Sequence, residues 1–186
     1  MKGLKNLPNI LSVIRIILIP IFVVAYLSYD GDGFYVLPAA ILLASGFTDF
    51  LDGFIARKYH FESYLGKILD PLADKLTQFT VCLSVGIKIN LFLYLAGLYF
   101  IKELCMLAGG IWLTRNNIKI IGSKWWGKVG TGLFYAVMFV VILFPNLSEN
   151  VKLYLCLAMM IIIVCVLILY IPEFIKLINS KKDFEE

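Results

Sequence analysis

The chain has 186 residues, 61% of them hydrophobic and 15% aromatic, with a mean hydropathy of +0.88 and a formal net charge of +4. That composition excludes an ordinary soluble domain, and because the basic residues sit at the ends of apolar stretches rather than in a patch with interleaved aromatics, it also excludes a nucleic-acid interface. The expected class is an all-α integral membrane protein, a single domain over residues 1–186, with room for about six spans of roughly 20–25 residues.

Residues 1–8, basic and partly apolar, read as a short N-terminal interfacial segment, and the first span as residues 9–28. Two lysines ahead of an apolar stretch also describe a signal peptide, but Arg15 and Pro20 interrupt this one and no small-residue cleavage site follows. Arg15 either faces a polar cavity or anionic partner, or snorkels to the interface. The YDGDG run at 29–33 marks a turn; the second span covers 34–59, a polar link holds 60–64, and the third span covers 65–89. Residues 91–113 form the fourth span, in which adjacent Lys102 and Glu103 either compensate each other or face separate polar surroundings. A basic stretch at 114–128 contains Trp125 and Trp126, which suit the headgroup belt. The fifth and sixth spans cover 129–144 and 151–178, and a charged tail follows.

At the span ends, Lys2, Lys5, Arg57, Lys58, Lys67, Arg115, Lys119, Lys124, Lys128, Lys176, Lys181 and Lys182 fall on one side, against Lys88 and Lys152 on the other. The positive-inside rule then places both termini and the 57–67 link in the cytoplasm. Cys82, Cys105, Cys156 and Cys165 lie in apolar stretches without paired CxxC spacing and read as core or lipid-facing residues, not as disulfides or a zinc site. His60, in the polar link, reads as solvated.

Residues 49–74 carry the chemistry, as D-x2-D-G-x2-A-R-x8-G-x3-D-x3-D. Positions three or four apart share a helix face, so Asp49 and Asp52 project together, as do Asp70 and Asp74; direct antiparallel packing of the two helices would bring all four into one cavity. Pro71 can kink its helix and help aim Asp70. An ionised carboxylate at membrane depth costs about 2.5–3.5 kcal/mol, and four together repel unless cations sit between them. Oxygen-preferring divalent metals, Mg²⁺, Mn²⁺ or Ca²⁺, supply that charge, and a bridged pair is what in-line phosphoryl displacement uses. The site would lie near the cytoplasmic leaflet, open to a soluble substrate from the cytosol and to a lipid from the side.

Asp49, Asp52, Gly53, Ala56, Arg57, Gly66, Asp70 and Asp74 match without a gap the signature of the CDP-alcohol phosphatidyltransferase family, and the chain resembles its members. The stretch LPNILSVIR, Leu7 to Arg15, is similar to the N-terminus of the bacterial phosphatidylglycerophosphate-forming members, with Ser12 where threonine is usual. The resemblance implies a multi-pass enzyme of the plasma membrane and a homodimer, releasing CMP from CDP-diacylglycerol. It implies that Asp49, Asp52 and Asp70 ligate two divalent cations, Mg²⁺ or Mn²⁺, with Asp74 contributing and also serving as the general base. Gly53, Ala56 and Gly66 would let the nucleotide approach, and Arg57 would pair with the diphosphate.

For the acceptor, the resemblance implies glycerol 3-phosphate, held by basic residues of the fourth span and of the stretch before the fifth. Lys102, Arg115, Lys124 and Lys128 are the candidates, although Gly110 stands where a second arginine is expected and Gly127-Lys128-Val129-Gly130-Thr131 lacks a second lysine. Fewer cations suit a lipid acceptor, phosphatidylglycerol, as in a CMP-forming cardiolipin synthase. An ion or proton transporter also places aspartates in a bundle, but it does not explain Gly53, Ala56, Arg57 and Gly66 beside them. Membrane aromatic prenyltransferases pair aspartate-rich motifs of a different pattern.

Overall fold

The computed structural model describes residues 7–29, 33, 35–59, 66–116, 118 and 125–185; the side chains of 7–8, 52–59, 67–68 and 179–185 lie outside the described set. Six helices account for almost all of it: α1 (Leu7–Leu27), α2 (Val36–Tyr59), α3 (Gly66–Lys88), α4 (Leu91–Arg115), α5 (Trp125–Leu143) and α6 (Glu149–Glu185). The interfacial segment expected at 1–8 lies mostly outside the described residues.

Among the described residues, four helices are long and apolar enough to cross a membrane: α1, α4, α5 and α6, the last over Glu149–Ile178. The corresponding apolar stretch of α2 is shorter, Val36–Leu51, and α3 does not qualify. The reason is the chemistry these two helices carry: α3 holds Asp70, Asp74, Lys75 and Lys88 among its 23 residues. Pro20, Pro71 and Pro172 lie inside their helices without ending them.

Burial differs from that of a water-soluble protein: polar side chains lie inside and large apolar ones outside. Ser12, Arg15, Ser45, Thr77, Gln78 and Ser84 are buried, while Val24, Phe47, Tyr94 and Ile161 are each more than 60% exposed. An apolar exterior of this extent needs a non-aqueous neighbour, and the polar interior needs internal partners. The intervening core is apolar, built from Leu42, Val81, Phe92, Leu95, Phe134, Met138, Ile142 and Met159.

Packing order decides where the motif lies. α2 and α3 barely touch, and α1 packs extensively against both. α5 then packs on α2, α4 on α3, and α6 closes against α4 and α5. Any gathering of the two motif halves therefore takes place across α1. Cys82 and Cys156 are buried, Cys105 and Cys165 exposed, and all four are free thiols.

Candidate active site

Two polar residues on one face of α1, three positions apart, meet the aspartates. Arg15 is fully buried, and its Nη1 lies 2.7 Å from Asp49 Oδ1 on α2. One turn earlier, the buried Ser12 hydroxyl donates to Asp70 Oδ1 on α3. Arg15 thus faces an anionic partner and does not snorkel. On α3, Gln78 Nε2 donates to Asp74 Oδ1 at 2.8 Å. Asp49 is within electrostatic reach of Asp70, and Asp74 within reach of Asp49 and Arg15.

The structure therefore ties Asp49 and Asp70 to α1 and leaves Asp74 within electrostatic reach of Asp49 and Arg15. Gly66 is buried at the start of α3. Asp52, Gly53, Ala56 and Arg57 lie on α2 within the helical backbone, but their side chains are outside the described residues, as is Lys124. Among the described residues no three His, Cys, Asp or Glu side chains converge closely enough to grip one ion; Asp49 and Asp70 are turned toward Arg15 and Ser12. The donor set nevertheless fits a hard divalent cation. It is made of carboxylate oxygens from two helices with a hydroxyl beside them, and it offers no soft ligand.

The site extends beyond the motif. Gly46, on α2, admits the Tyr135 ring from α5: a Cβ there would lie 3.2 Å from its Cδ1. The Tyr135 hydroxyl consequently lies buried beside that of Ser45, within electrostatic reach of Asp74, Asp49 and Arg15. Ser45 and Thr77 also border a small crevice whose other walls include Leu18, Phe22, Leu42 and Val81.

On the other flank, Lys75 follows Asp74 directly, and its Nζ lies 2.7 Å from Glu103 Oε2 on α4. Lys102 Nζ lies 2.5 Å from the other carboxylate oxygen. Lys102 and Glu103 are thus a compensating pair joined by a third member from α3. Lys102 also sits 4.9 Å from the centre of the Tyr99 ring. Glu103 is in turn within electrostatic reach of Asp74. Of the other acceptor candidates, Arg115 and Lys128 are exposed at helix ends, and none of the described contacts of the aspartates reaches them.

Sequence reasoning had not singled out Gln78, Lys75, Ser45 or Tyr135. The i, i+4 spacing of Asp74 and Gln78 was a usable signal. Nothing in the order of residues announces Tyr135, whose place depends on which helix covers α2.

The sequence model of the CDP-alcohol phosphatidyltransferase family matches residues 5–171. The chain belongs to the CDP-alcohol phosphatidyltransferase family. Among its relatives, a CDP-diacylglycerol–glycerol-3-phosphate 3-phosphatidyltransferase of Haemophilus influenzae is 33% identical over 66% of this chain and 68% of its own length. A Rickettsia felis protein of the same name is 44% identical over 39% of each chain. A cardiolipin synthase (CMP-forming) / mitochondrial hydrolase fusion protein of Schizosaccharomyces pombe is 41% identical over 45% of this chain and 14% of its own length. The chain thus spans about two thirds of the Haemophilus relative and less than half of the other two.

Proposed function

We propose that this protein transfers the phosphatidyl group of CDP-diacylglycerol to glycerol 3-phosphate, giving phosphatidylglycerophosphate and CMP. What supports this reading is that Arg15 and Ser12 of α1 bind Asp49 and Asp70 from two different helices, with Asp74 within electrostatic reach. This arrangement occurs in a chain whose family is defined by this chemistry and whose Haemophilus relative bears this activity in its name.

In this reading Asp49, Asp52 and Asp70, with Asp74, hold two divalent cations, Mg²⁺ or Mn²⁺. Bound there, such cations supply positive charge to the phosphates of the donor. Arg57 pairs with the diphosphate, and Gly53, Ala56 and Gly66 leave room for the nucleotide. Asp74 takes the proton of the acceptor hydroxyl; its oxygen bonds to the lipid-side phosphorus, and CMP leaves with the electrons of the broken P–O bond. Gln78 holds Asp74 in place. Lys102, Arg115, Lys124 and Lys128 serve the acceptor.

The same reading has all six helices in the plasma membrane, both termini and the active site toward the cytoplasm, and two copies forming a homodimer. α2 and α3 cross with their charges turned inward, as the burial of Gln78 and Thr77 supports.

A second reading, transfer to phosphatidylglycerol to form cardiolipin, is favoured by Glu103, which offsets the charge of Lys102 and Lys75. Purified protein with Mg²⁺ or Mn²⁺ and labelled CDP-diacylglycerol, given each acceptor separately, tests both. CMP release that depends on glycerol 3-phosphate supports the first, and release that depends on phosphatidylglycerol supports the second. Ion flux without CMP release would favour a transporter instead.

A further inference from the structure

The Lys75–Glu103–Lys102 cluster lies next to the base candidate and has no role in the donor half of the reaction. Its carboxylate is bound on both oxygens, by Lys75 from α3 at 2.7 Å and by its neighbour Lys102 at 2.5 Å. Glu103 is 12% exposed, Lys102 19% and Lys75 37%, so the cluster opens on the Lys75 side. Its charge reaches Asp74, where the acceptor hydroxyl would be deprotonated. An acceptor seated for attack therefore places its own anionic group within range of these three residues.

Two ammonium groups and one carboxylate leave a single net positive charge. A phosphomonoester such as glycerol 3-phosphate carries nearly two negative charges at neutral pH, whereas a phosphodiester headgroup carries one. For the phosphomonoester, Glu103 is both a competitor for the lysines and a like charge; for the phosphodiester, the charges already match. Specificity built on such repulsion acts through the disfavoured partner.

We infer that Glu103 sets acceptor selectivity, holding this subsite at one positive charge so that a monoanionic phosphodiester headgroup competes with a dianionic phosphomonoester. The inference rests on the phosphatidyltransferase reading and adds to it a residue that tunes its substrate. Glu103 is a positioning and selectivity residue, acting through Lys75 and Lys102.

The test measures CMP release by the full-length protein with glycerol 3-phosphate and with phosphatidylglycerol in vesicles, and compares the ratio of kcat/KM for the two. Glu103→Gln is expected to raise that ratio in favour of glycerol 3-phosphate at least tenfold, chiefly through KM. Glu103→Asp keeps the charge and is expected to leave the ratio within about threefold of wild type. Lys75→Gln is expected to move it the opposite way, which keeps the test open if Glu103→Gln does not fold. An unchanged ratio in Glu103→Gln or Lys75→Gln, with CMP release intact, overturns the inference alone. No CMP release by the wild type with either acceptor overturns the phosphatidyltransferase reading and the inference together.

Discussion

Two cations at opposite ends of the α1–α3 unit are held in opposite ways. Arg15 is fully buried, paired with Asp49 of α2 and within electrostatic reach of Asp74 of α3. Lys88, at the far end of α3, donates to the Tyr29 carbonyl oxygen and to the Tyr35 hydroxyl, the latter at 3.4 Å. Its ammonium also lies 5.2 Å from the Tyr26 ring centre and 5.0 Å from that of Tyr35. These described partners of Lys88 are neutral, and dipoles and ring quadrupoles help to satisfy its charge. The Arg15 end gathers more negative charge than one guanidinium balances. The first arrangement suits a permanent tie, and the second calls for something from outside the chain.

The comparison breaks first at Asp74. Asp74→Asn keeps the shape and the Gln78 contact partner while removing the proton acceptor, so CMP release is expected to fall about 10²–10⁴-fold. Circular dichroism and thermal unfolding should stay close to wild type. A variant that retains more than a tenth of wild-type CMP release would move the base elsewhere.

Arg15→Gln asks whether the acidic end needs its cation. Removing one partner of a buried pair costs about 3–5 kcal/mol; Asp49 is 34% exposed, and the loss is expected at or below about 3 kcal/mol. If a divalent cation shares the site, millimolar Mn²⁺ should restore much of that stability. Saturation to 100 times the dissociation constant contributes about 2.7 kcal/mol. Unfolding in detergent, with EDTA and with Mn²⁺, should therefore show a larger metal response in the variant than in wild type. Equal responses would mean that Arg15 and the metal do not share the carboxylates.

How much of this was legible in the sequence follows the same division. The six helical segments and their order could be read from the sequence, because each helix satisfies its own backbone and periodicity is local. Their ends were less legible: α5 begins at Trp125, within the stretch read as an interfacial belt, and α6 runs on to Glu185 past the expected end at 178. Helix formation continues while local propensity allows, whether or not the bilayer does. The aspartates announced themselves by their cost in an apolar setting. Arg15 could not be assigned, because a cation near a span end fits both a snorkelling and a paired geometry, and only the placement of α1 between α2 and α3 decides it. Lys75 and Glu103 belong to different helices, and their meeting depends on the packing of α3 on α4.

The structural end is also tested by its tight connection. Gly86 lies where α3 turns into α4, and a Cβ there would come 2.9 Å from the Leu93 backbone nitrogen and 2.7 Å from its Cδ2. The side-chain atom can rotate away, but the backbone atom cannot. Gly86→Ala should lower stability by about 1–3 kcal/mol, read as a drop in unfolding midpoint, with the acceptor preference of the remaining folded protein unchanged.

Lys88→Met gives the smallest effect and the sharpest contrast. The methionine keeps the apolar stem between Tyr26 and Tyr35 and removes the ammonium from a half-buried aromatic setting, a loss of about 0.5–2 kcal/mol. Arg15 is paired with the Asp49 carboxylate, whereas the described partners of Lys88 are tyrosine rings, a hydroxyl and a carbonyl oxygen. Mn²⁺ should therefore leave the stability difference between Lys88→Met and wild type unchanged, while it narrows the difference for Arg15→Gln. A metal-dependent rescue of Lys88→Met would show that the two ends are coupled through α3, and the division between a structural end and a chemical end would fail.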